Sequence, residues 1–431
     1  MPKLRAAIFE DDAYDNFLPL TYTRPAFDLR CGAKSFRHRI MDLIRAPDAM
    51  LFTREYLADF MASKEKGSVN RAESITGTTI FINGLLVPDK AIALKISRAS
   101  EGHIGVKDDR LVFMCLGQVK AREFAERLSR PLGSLDVSQL ERSAMKKVDV
   151  QEAKILSHPR ELISTNSEIL KDDILSLKKS RAGKVHPKAT ILGKRSDLSI
   201  GPRSVVEAGT VIDVRAGPVH IESGCIIRPN AWIQGPAFIG SGTQILPSAR
   251  IHGGSSIGPM CNIGGEVEET VIHGHSDKAH AGFVGHSYIG EWVNLGALTT
   301  TSDLKITYGT VKVNIRGQRI DTGETNIGAF IADHVKTSIG AMIYPGGKIG
   351  VATQIHGIVS GDVPSFSIYA KALGSKTIES IFESVAETQR RTYRRKRIEQ
   401  TAADITLLKK VYELTKDERK SAAVVQGRFA I

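Results

Sequence analysis

Eight isoleucines stand six residues apart: Ile221, Ile227, Ile233, Ile239, Ile245, Ile251, Ile257 and Ile263. The same step links Val185 to Ile191 and Ile200 to Val206 and Ile212 before this run. After it, the step links Ile289 to Leu295 and Ile343 to Ile349 and Ile355. Several of these residues precede glycine, as in Ile200-Gly201, Ile239-Gly240, Ile257-Gly258, Ile263-Gly264 and Ile289-Gly290. An α-helix cannot place every sixth residue on one stripe, and a single long strand offers no reason for a step of six. A hexapeptide period fits a parallel β-helix. Each unit supplies one short strand and one corner, the aliphatic side chain points inward, and glycine or a small polar residue permits the turn. Three units close a triangular coil of about 18 residues, with coils stacked ~4.8 Å apart. Glycine marks the same region, since 29 of the 39 glycines fall within residues 181–365.

The period breaks at two places. From Ile212 to Ile221 is nine residues, and from Ile263 to Ile289 is 26. Loops are expected to leave the prism there. The second break reads EVEETVIHGHSDKAHAGFVGHSY and holds His273, His275, His280 and His286. A slender solenoid has no deep pocket of its own, so ligands are expected on such loops or in clefts between prisms, which a trimer provides. A metal site from His273, His275 and His280 has spacings of 2 and 5, which match no common ligand pattern.

The flanks differ in texture, as a chain of 431 residues with two or three domains would. Residues 4–9 (LRAAIF) and Thr79–Asn83 read as buried strands, and Arg122–Leu128 and Glu161–Leu177 have helical spacing. Alternating strands and helices predict an α/β, Rossmann-like domain with a largely parallel sheet over residues 1–180. A linker is expected at 178–184, the β-helix at 181–370, and a basic helical tail at 371–431. That tail carries 14 Lys/Arg against 8 Asp/Glu, half of the net charge of +12. Its run Gln389–Arg397 reads as a solvated or packed helix face rather than a nucleic-acid contact, because Tyr393 is the only aromatic in it. The charge suits phosphorylated small molecules, CoA or nucleotides. No stretch approaches eighteen apolar residues. The N-terminus places acids where a signal peptide needs an apolar run, so export is not expected. Cys31, Cys115, Cys225 and Cys261 form no CxxC pair, which favours a reducing, cytoplasmic setting.

Residues 263–305, IGGEVEETVIHGHSDKAHAGFVGHSYIGEWVNLGALTTTSDLK, resemble the acyltransferase half of the hexapeptide-repeat sugar-nucleotide enzymes. The resemblance is closest to the alternative bacterial and archaeal form of the bifunctional enzyme that makes UDP-N-acetylglucosamine. That form joins a glucosamine-1-phosphate acetyltransferase to an N-acetylglucosamine-1-phosphate uridylyltransferase. Residues 9–32, FEDDAYDNFLPLTYTRPAFDLRCG, resemble the opening of its nucleotidyltransferase domain. The likeness covers most of residues 1–365, more specifically in the β-helix than in front of it. It implies a left-handed β-helix, a homotrimer, acetyl-CoA as co-substrate, Mg²⁺ for nucleotidyl transfer, and a sugar phosphate and an NTP as small-molecule partners, with no nucleic acid and no membrane.

The resemblance assigns His280 as the general base, Asn294 as the active-site asparagine, Glu266 as its acid and Arg250 as the arginine on the sugar phosphate. Phe283 takes the place of a tyrosine. The chemistry is sound: an amine must lose a proton to attack a thioester, and imidazole is a base suited to neutral pH. An arginine grips phosphate with a planar fork. The spacings of 16, 14 and 14 along Arg250, Glu266, His280 and Asn294 are each a little under one coil, which predicts neighbouring levels on one side of the prism. Read without the resemblance, Glu266 and Arg250 form a surface ion pair.

The chain also departs from the family. Glu268 and Glu269 replace a phosphate-contacting lysine pair, which leaves Lys278 and Lys305 as candidates for that contact. In the front domain, Glu10-Asp11-Asp12-Ala13-Tyr14-Asp15-Asn16 replaces the glycine-rich phosphate loop, Pro25 is followed by Ala26, and Asn83-Gly84 precedes Leu85 where a metal-binding aspartate is ordinary. Arg24 and Arg30 are the expected phosphate neutralisers and Asp28 the expected Mg²⁺ ligand. Otherwise Arg24 and Asp28 pair to hold a turn. Three functions follow: a bifunctional sugar-nucleotide enzyme, an acyltransferase whose front domain binds or regulates, and a trimeric scaffold without activity.

Overall fold

The computed structural model describes residues 5–64, 67–128, 135–143 and 146–429. The chain divides into two compact units. The first gathers residues 1–29, 34–158 and 402–407, and the second gathers 30–33, 159–401 and 408–431.

The first unit is built on a six-stranded sheet in the order Met50–Phe52, Arg5–Phe9, Thr79–Asn83, Arg110–Leu116, His103–Lys107, Lys146–Lys147. The predicted strands lie at its centre, with Ala7 opposite both Met50 and Phe81 in parallel ladders. The sheet is mixed, because Arg110–Leu116 runs antiparallel to both of its neighbours. Ile8, Phe9, Phe81 and Ile82 are fully buried, as near-continuous apolar runs in a doubly covered sheet should be. Phe124 of the helix Gln118–Leu128 packs edge-on against Phe81, with centroids 4.9 Å apart.

The second unit is the predicted prism. Its strands form three parallel stacks. The first runs from Lys184–Val185 to Asp277–Lys278, the second from Thr190–Leu192 to Ile358–Val359, and the third from Leu198–Ile200 to Lys348–Ile349. The period of six sets the register directly. Ile227, Ile245 and Ile263 stack on the first face, Ile233 and Ile251 on the second, and Ile221, Ile239 and Ile257 on the third. All eight isoleucines are completely buried. The helix Asn166–Ser176 also groups with this unit, its Leu170 and Ile174 clustering with Phe238.

The break from Ile263 to Ile289 is not an extruded loop. The strands Glu266–Glu268, Val271–Gly274, Asp277–Lys278, Phe283–Gly285 and Tyr288–Glu291 keep coiling through it. The inward residues are Val267, Ile272, Lys278, Val284 and Ile289. The Gly264-Gly265 corner shortens the step from Ile263 to Val267 by two residues, and the steps from Val267 to Ile272 and from Val284 to Ile289 are each one residue short. The projection from the prism comes instead after Thr300–Thr301, where Lys312–Ile315 and Gln318–Asp321 pair as an antiparallel ribbon.

The tail returns to the solenoid rather than standing in solvent. The helix Phe382–Arg395 buries Val385, Gln389 and Tyr393. The Tyr393 ring lies 4.1 Å from Trp292, and Lys396 Nζ is 2.7 Å from Asp277 Oδ1. Arg390 and Arg391 face outward and share Glu387, so the basic run is a packed helix with a charged outer face. Among the described residues no helix is long and apolar enough to cross a membrane. All four cysteines are buried and unpaired in disulfides.

Candidate functional site

Alternation along a strand turns the residues flanking each inward isoleucine outward. On the second face this builds an exterior column. Trp232 stacks beside Arg250, Arg250 beside Glu266, and Glu266 beside Phe283. Arg250 and Glu266, 16 positions apart in sequence, therefore occupy adjacent rungs. Arg250 Nη2 is 2.9 Å from one Glu266 oxygen, and His252 Nε2 is 3.0 Å from the other. His252 in turn meets Trp232 edge-on at 5.0 Å. Glu266 is thus held between two nitrogen partners, while Arg250 stays 62% exposed and able to take a second anion. The Phe283 ring covers Gly285, where any Cβ would stand 2.4 Å from it.

His280 lies on the corner that joins the first face to the second, after Asp277–Lys278 and before Phe283–Gly285. It is exposed, and among the described residues its imidazole takes no hydrogen bond or ion pair. Asn294 is one rung above Asp277 and one below Lys336, on the first face. Of the four residues expected on one side, only Arg250 and Glu266 share the second face, which Phe283 continues; His280 stands on the corner before it and Asn294 occupies the neighbouring face. A step of 14 or 16 crosses a corner whenever the corners differ in length, so spacing alone could not place it.

Neither lysine candidate presents a free ammonium. Lys278 is the inward residue above Ile263 and is buried, with Nζ 2.9 Å from the carbonyls of both Gly264 and His280. Burial pushes it down to about 8, against a small opposing pull from Glu266. Lys305 donates to the Thr310 carbonyl at the base of the ribbon.

Two features went unread in the sequence. His252 is one. The other is His286, whose Nδ1 is 2.6 Å from Asp303 Oδ2 and whose Nε2 is 3.6 Å from Glu269 Oε2. Burial lowers its proton affinity, but the Asp303 hydrogen bond and the Glu269 and Glu268 carboxylates outweigh that and raise it. Glu269, which replaces a family lysine, thus faces an imidazole whose proton affinity is raised. The signal was thin because Asp303 is 17 residues away and shares no motif with His286.

In the first unit the acidic stretch serves the backbone. The Glu10 carboxylate, wholly buried, accepts from the Ala26 amide at 2.7 Å, from Thr53 Oγ1 at 3.0 Å and from Arg54 Nε at 2.9 Å. Arg54 also donates to the Thr21 and Arg24 carbonyls and lies 4.0 Å over the Tyr14 ring. Asp11 is bound by Arg110 and Asn83. Asp28 pairs with Arg37 at 2.5 Å. Arg24 is buried, and Arg30, which groups with the solenoid unit, spends its guanidinium on the Ala33 carbonyl and the face of Phe238. Among the described residues no group of three His, Cys, Asp or Glu side chains could hold a metal ion. With Glu10, Asp11 and Asp28 each bound to an arginine, this donor set does not fit a resident Mg²⁺.

The sugar nucleotidyl transferase family model matches residues 6–182. The bifunctional sugar-1-phosphate nucleotidylyltransferase/acetyltransferase of Sulfurisphaera tokodaii is 44% identical over 100 residues, 23% of this chain and 25% of that protein. The bifunctional protein GlmU of Methanocaldococcus jannaschii is 36% identical over 85 residues, 20% of this chain and 21% of that protein. The chain thus matches about a quarter of the length of these relatives. A solved Francisella novicida UDP-N-acetylglucosamine acyltransferase aligns with 57% of this chain and 87% of its own, at 15% identity and a TM-score of 0.29. The chain therefore pairs a front domain that matches the sugar nucleotidyl transferase family with a parallel β-solenoid, and it is similar in part of its length to bifunctional sugar-1-phosphate nucleotidylyltransferase/acetyltransferases.

Proposed function

We propose that the chain is a bifunctional enzyme of sugar-nucleotide synthesis, and that the solenoid transfers an acetyl group from acetyl-CoA to an amino-sugar 1-phosphate such as glucosamine-1-phosphate. The observation that carries this reading is an exposed imidazole at His280, on the corner leading into the strand two rungs above Arg250, whose outward guanidinium is anchored by Glu266. His280 takes a proton from the sugar amine as the nitrogen attacks the thioester carbonyl. The tetrahedral intermediate then collapses with loss of the CoA thiolate. Arg250 holds the sugar phosphate, and Glu266 sets the direction of that guanidinium together with His252. Phe283 supplies an apolar wall, and Asn294 contributes from the adjoining face.

The corner carrying His280 opens on solvent, and above it run exposed apolar side chains: Leu298, Ile339, Met342 and Ile358. Such a strip needs cover, so we assign it to the seam of a homotrimer, with a second copy closing over it around the pantetheine arm. We place the reaction in the cytoplasm, in keeping with four cysteines that form no disulfide.

The front domain, on this reading, joins the acetylated sugar 1-phosphate to UTP or another NTP. A sugar phosphate oxygen attacks the α-phosphorus and pyrophosphate leaves. Because Glu10, Asp11 and Asp28 are already bound by arginines, Mg²⁺ arrives on the triphosphate as part of the substrate.

Incubation with glucosamine-1-phosphate and acetyl-CoA should release free thiol, and His280→Ala should lower turnover by about 10²–10⁴-fold. An unchanged rate in that variant removes His280 from the mechanism. Pyrophosphate release across a panel of sugar 1-phosphates and NTPs tests the front domain. Silence across the whole panel would leave the acyltransferase alone.

A further inference from the structure

The first-face column of the prism is aliphatic from Val206 through Ile227, Ile245 and Ile263, and then places Lys278 where the next isoleucine belongs. A lysine is costly at such a position unless its ammonium is bonded. Both bonds it makes are to corner carbonyls, Gly264 on the level below and His280 on its own.

The corners explain why donors are needed here. Some corners close on themselves, with Ala249 N donating to Leu246 O and Thr299 N to Gly296 O, and others are served by a hydroxyl of the level below, as Ser204 Oγ donates to Glu222 O and Thr243 Oγ1 to Gly258 O. The Gly264-Gly265 corner is too short for such a bond, and among the described residues none closes the corner at 279–282 either. The neighbouring carbonyls are served from other levels, Ala281 O by Leu298 N and Gly282 O by Glu266 N. The carbonyl of His280 is served by Lys278. Space for the ammonium exists because residue 265 is glycine: a Cβ there would lie 2.6 Å from Nζ and 2.9 Å from His280 O.

We propose that Lys278 is a positioning residue for His280, its ammonium filling the gap left by the tight Gly264-Gly265 corner and fixing the backbone from which the imidazole projects. This rests on the acetyl-transfer reading above. It also reassigns Lys278 from a substrate contact to an internal brace.

Lys278→Met tests it, because methionine fills the column but donates nothing. The full chain is compared with wild type by amide hydrogen exchange, by melting and by acetyl-transfer kinetics. Exchange should quicken about tenfold or more at residues 279–283 while the isoleucine rungs 221–257 keep their protection. Turnover should fall about 10²-fold with KM for acetyl-CoA within about twofold, as misplacement of a catalytic group by about an ångström would do. Lys278→Arg, which keeps a cation and its donors, should restore a large part of the protection, and it carries the test if the methionine variant does not fold. A folded Lys278→Met with wild-type exchange at 279–283 overturns the proposal, as does a rise in KM for the sugar phosphate with kcat unchanged, the mark of a direct contact. Absence of transfer in wild type overturns the catalytic reading and the role built on it, and the exchange data tell that failure apart from a brace that does not exist.

Discussion

The two units place charge in opposite ways. In the front unit the Glu10–Arg54 pair is sealed, with side chains 0% and 7% exposed, and its oxygens and nitrogens are used up on the backbone of the segments it joins. On the solenoid, Arg250 and Glu266 meet at similar distance with 62% and 27% exposed. The first pair has no capacity left for a ligand, while the second is an anchored arginine with its outer edge open. Charge in a sequence thus signals binding only where the fold leaves it unspent. The acidic motif at residues 10–16 looks the more chemical of the two and is largely structural. On the reading proposed above, the site lies on the surface of the repetitive prism.

The comparison can be broken most forcefully at Glu10. Removing one partner of a buried pair leaves an uncompensated charge, so Glu10→Ala should destabilise the front unit by about 3–5 kcal/mol. Hydrogen exchange should report this in the strands Arg5–Phe9 and Thr79–Asn83 while the solenoid rungs remain protected. A loss below about 1 kcal/mol would mean that the pair is no more than a surface contact.

Lys278 sharpens the contrast, since it is a buried charge inside the solenoid. Its folded value near 8 lies below the ordinary 10.5, so the unfolded chain binds the proton more tightly. Between about pH 8 and 10.5 the unfolded state then holds more protons, and stability rises with pH; below 8 both states are protonated and the penalty is full. Wild type should gain stability relative to Lys278→Met across that window, by on the order of 3 kcal/mol at most. Lys336, also pushed down to about 8 by burial, should retain its own share of the slope in the variant. Equal slopes in urea titrations of the two proteins would show that Lys278 titrates as an exposed amine.

The smallest effect on stability is expected at Arg250. Arg250→Ala should change stability by less than about 1 kcal/mol. It should nonetheless raise KM for the sugar phosphate about tenfold or more, the scale of a charge-assisted contact. A large loss of stability with unchanged kinetics would reverse the distinction drawn between the two pairs.

Much of the prism was legible because its code is local. Stacking copies of a coil requires an apolar residue at every sixth position, and Ile221 to Ile263 state that requirement without interruption. The spacing of 16 from Arg250 to Glu266, close to one coil, suggested neighbouring levels, and the strand ladder is what puts them on one face. The reading failed where the count did. Two residues fewer at Gly264-Gly265 look like the start of a loop in sequence, yet the strands continue, and the projecting ribbon at 312–321 follows a stretch with no such signal.

The sequence by itself determined the coil and its three-sided core, because those follow from periodicity and from the identity of inward residues, while the corner on which His280 sits lay in a stretch that reads as a loop. Only the tertiary structure decided which charged groups are free. Glu10 finds Arg54 across 44 positions, His286 finds Asp303 across 17, and Lys278 finds carbonyls on two different levels. Each pairing depends on distances set by folding rather than by a repeat. A charged side chain sealed with its partner in the interior has no direction left in which to bind anything else, whereas one paired at the surface, as Arg250 is, keeps an outer edge open.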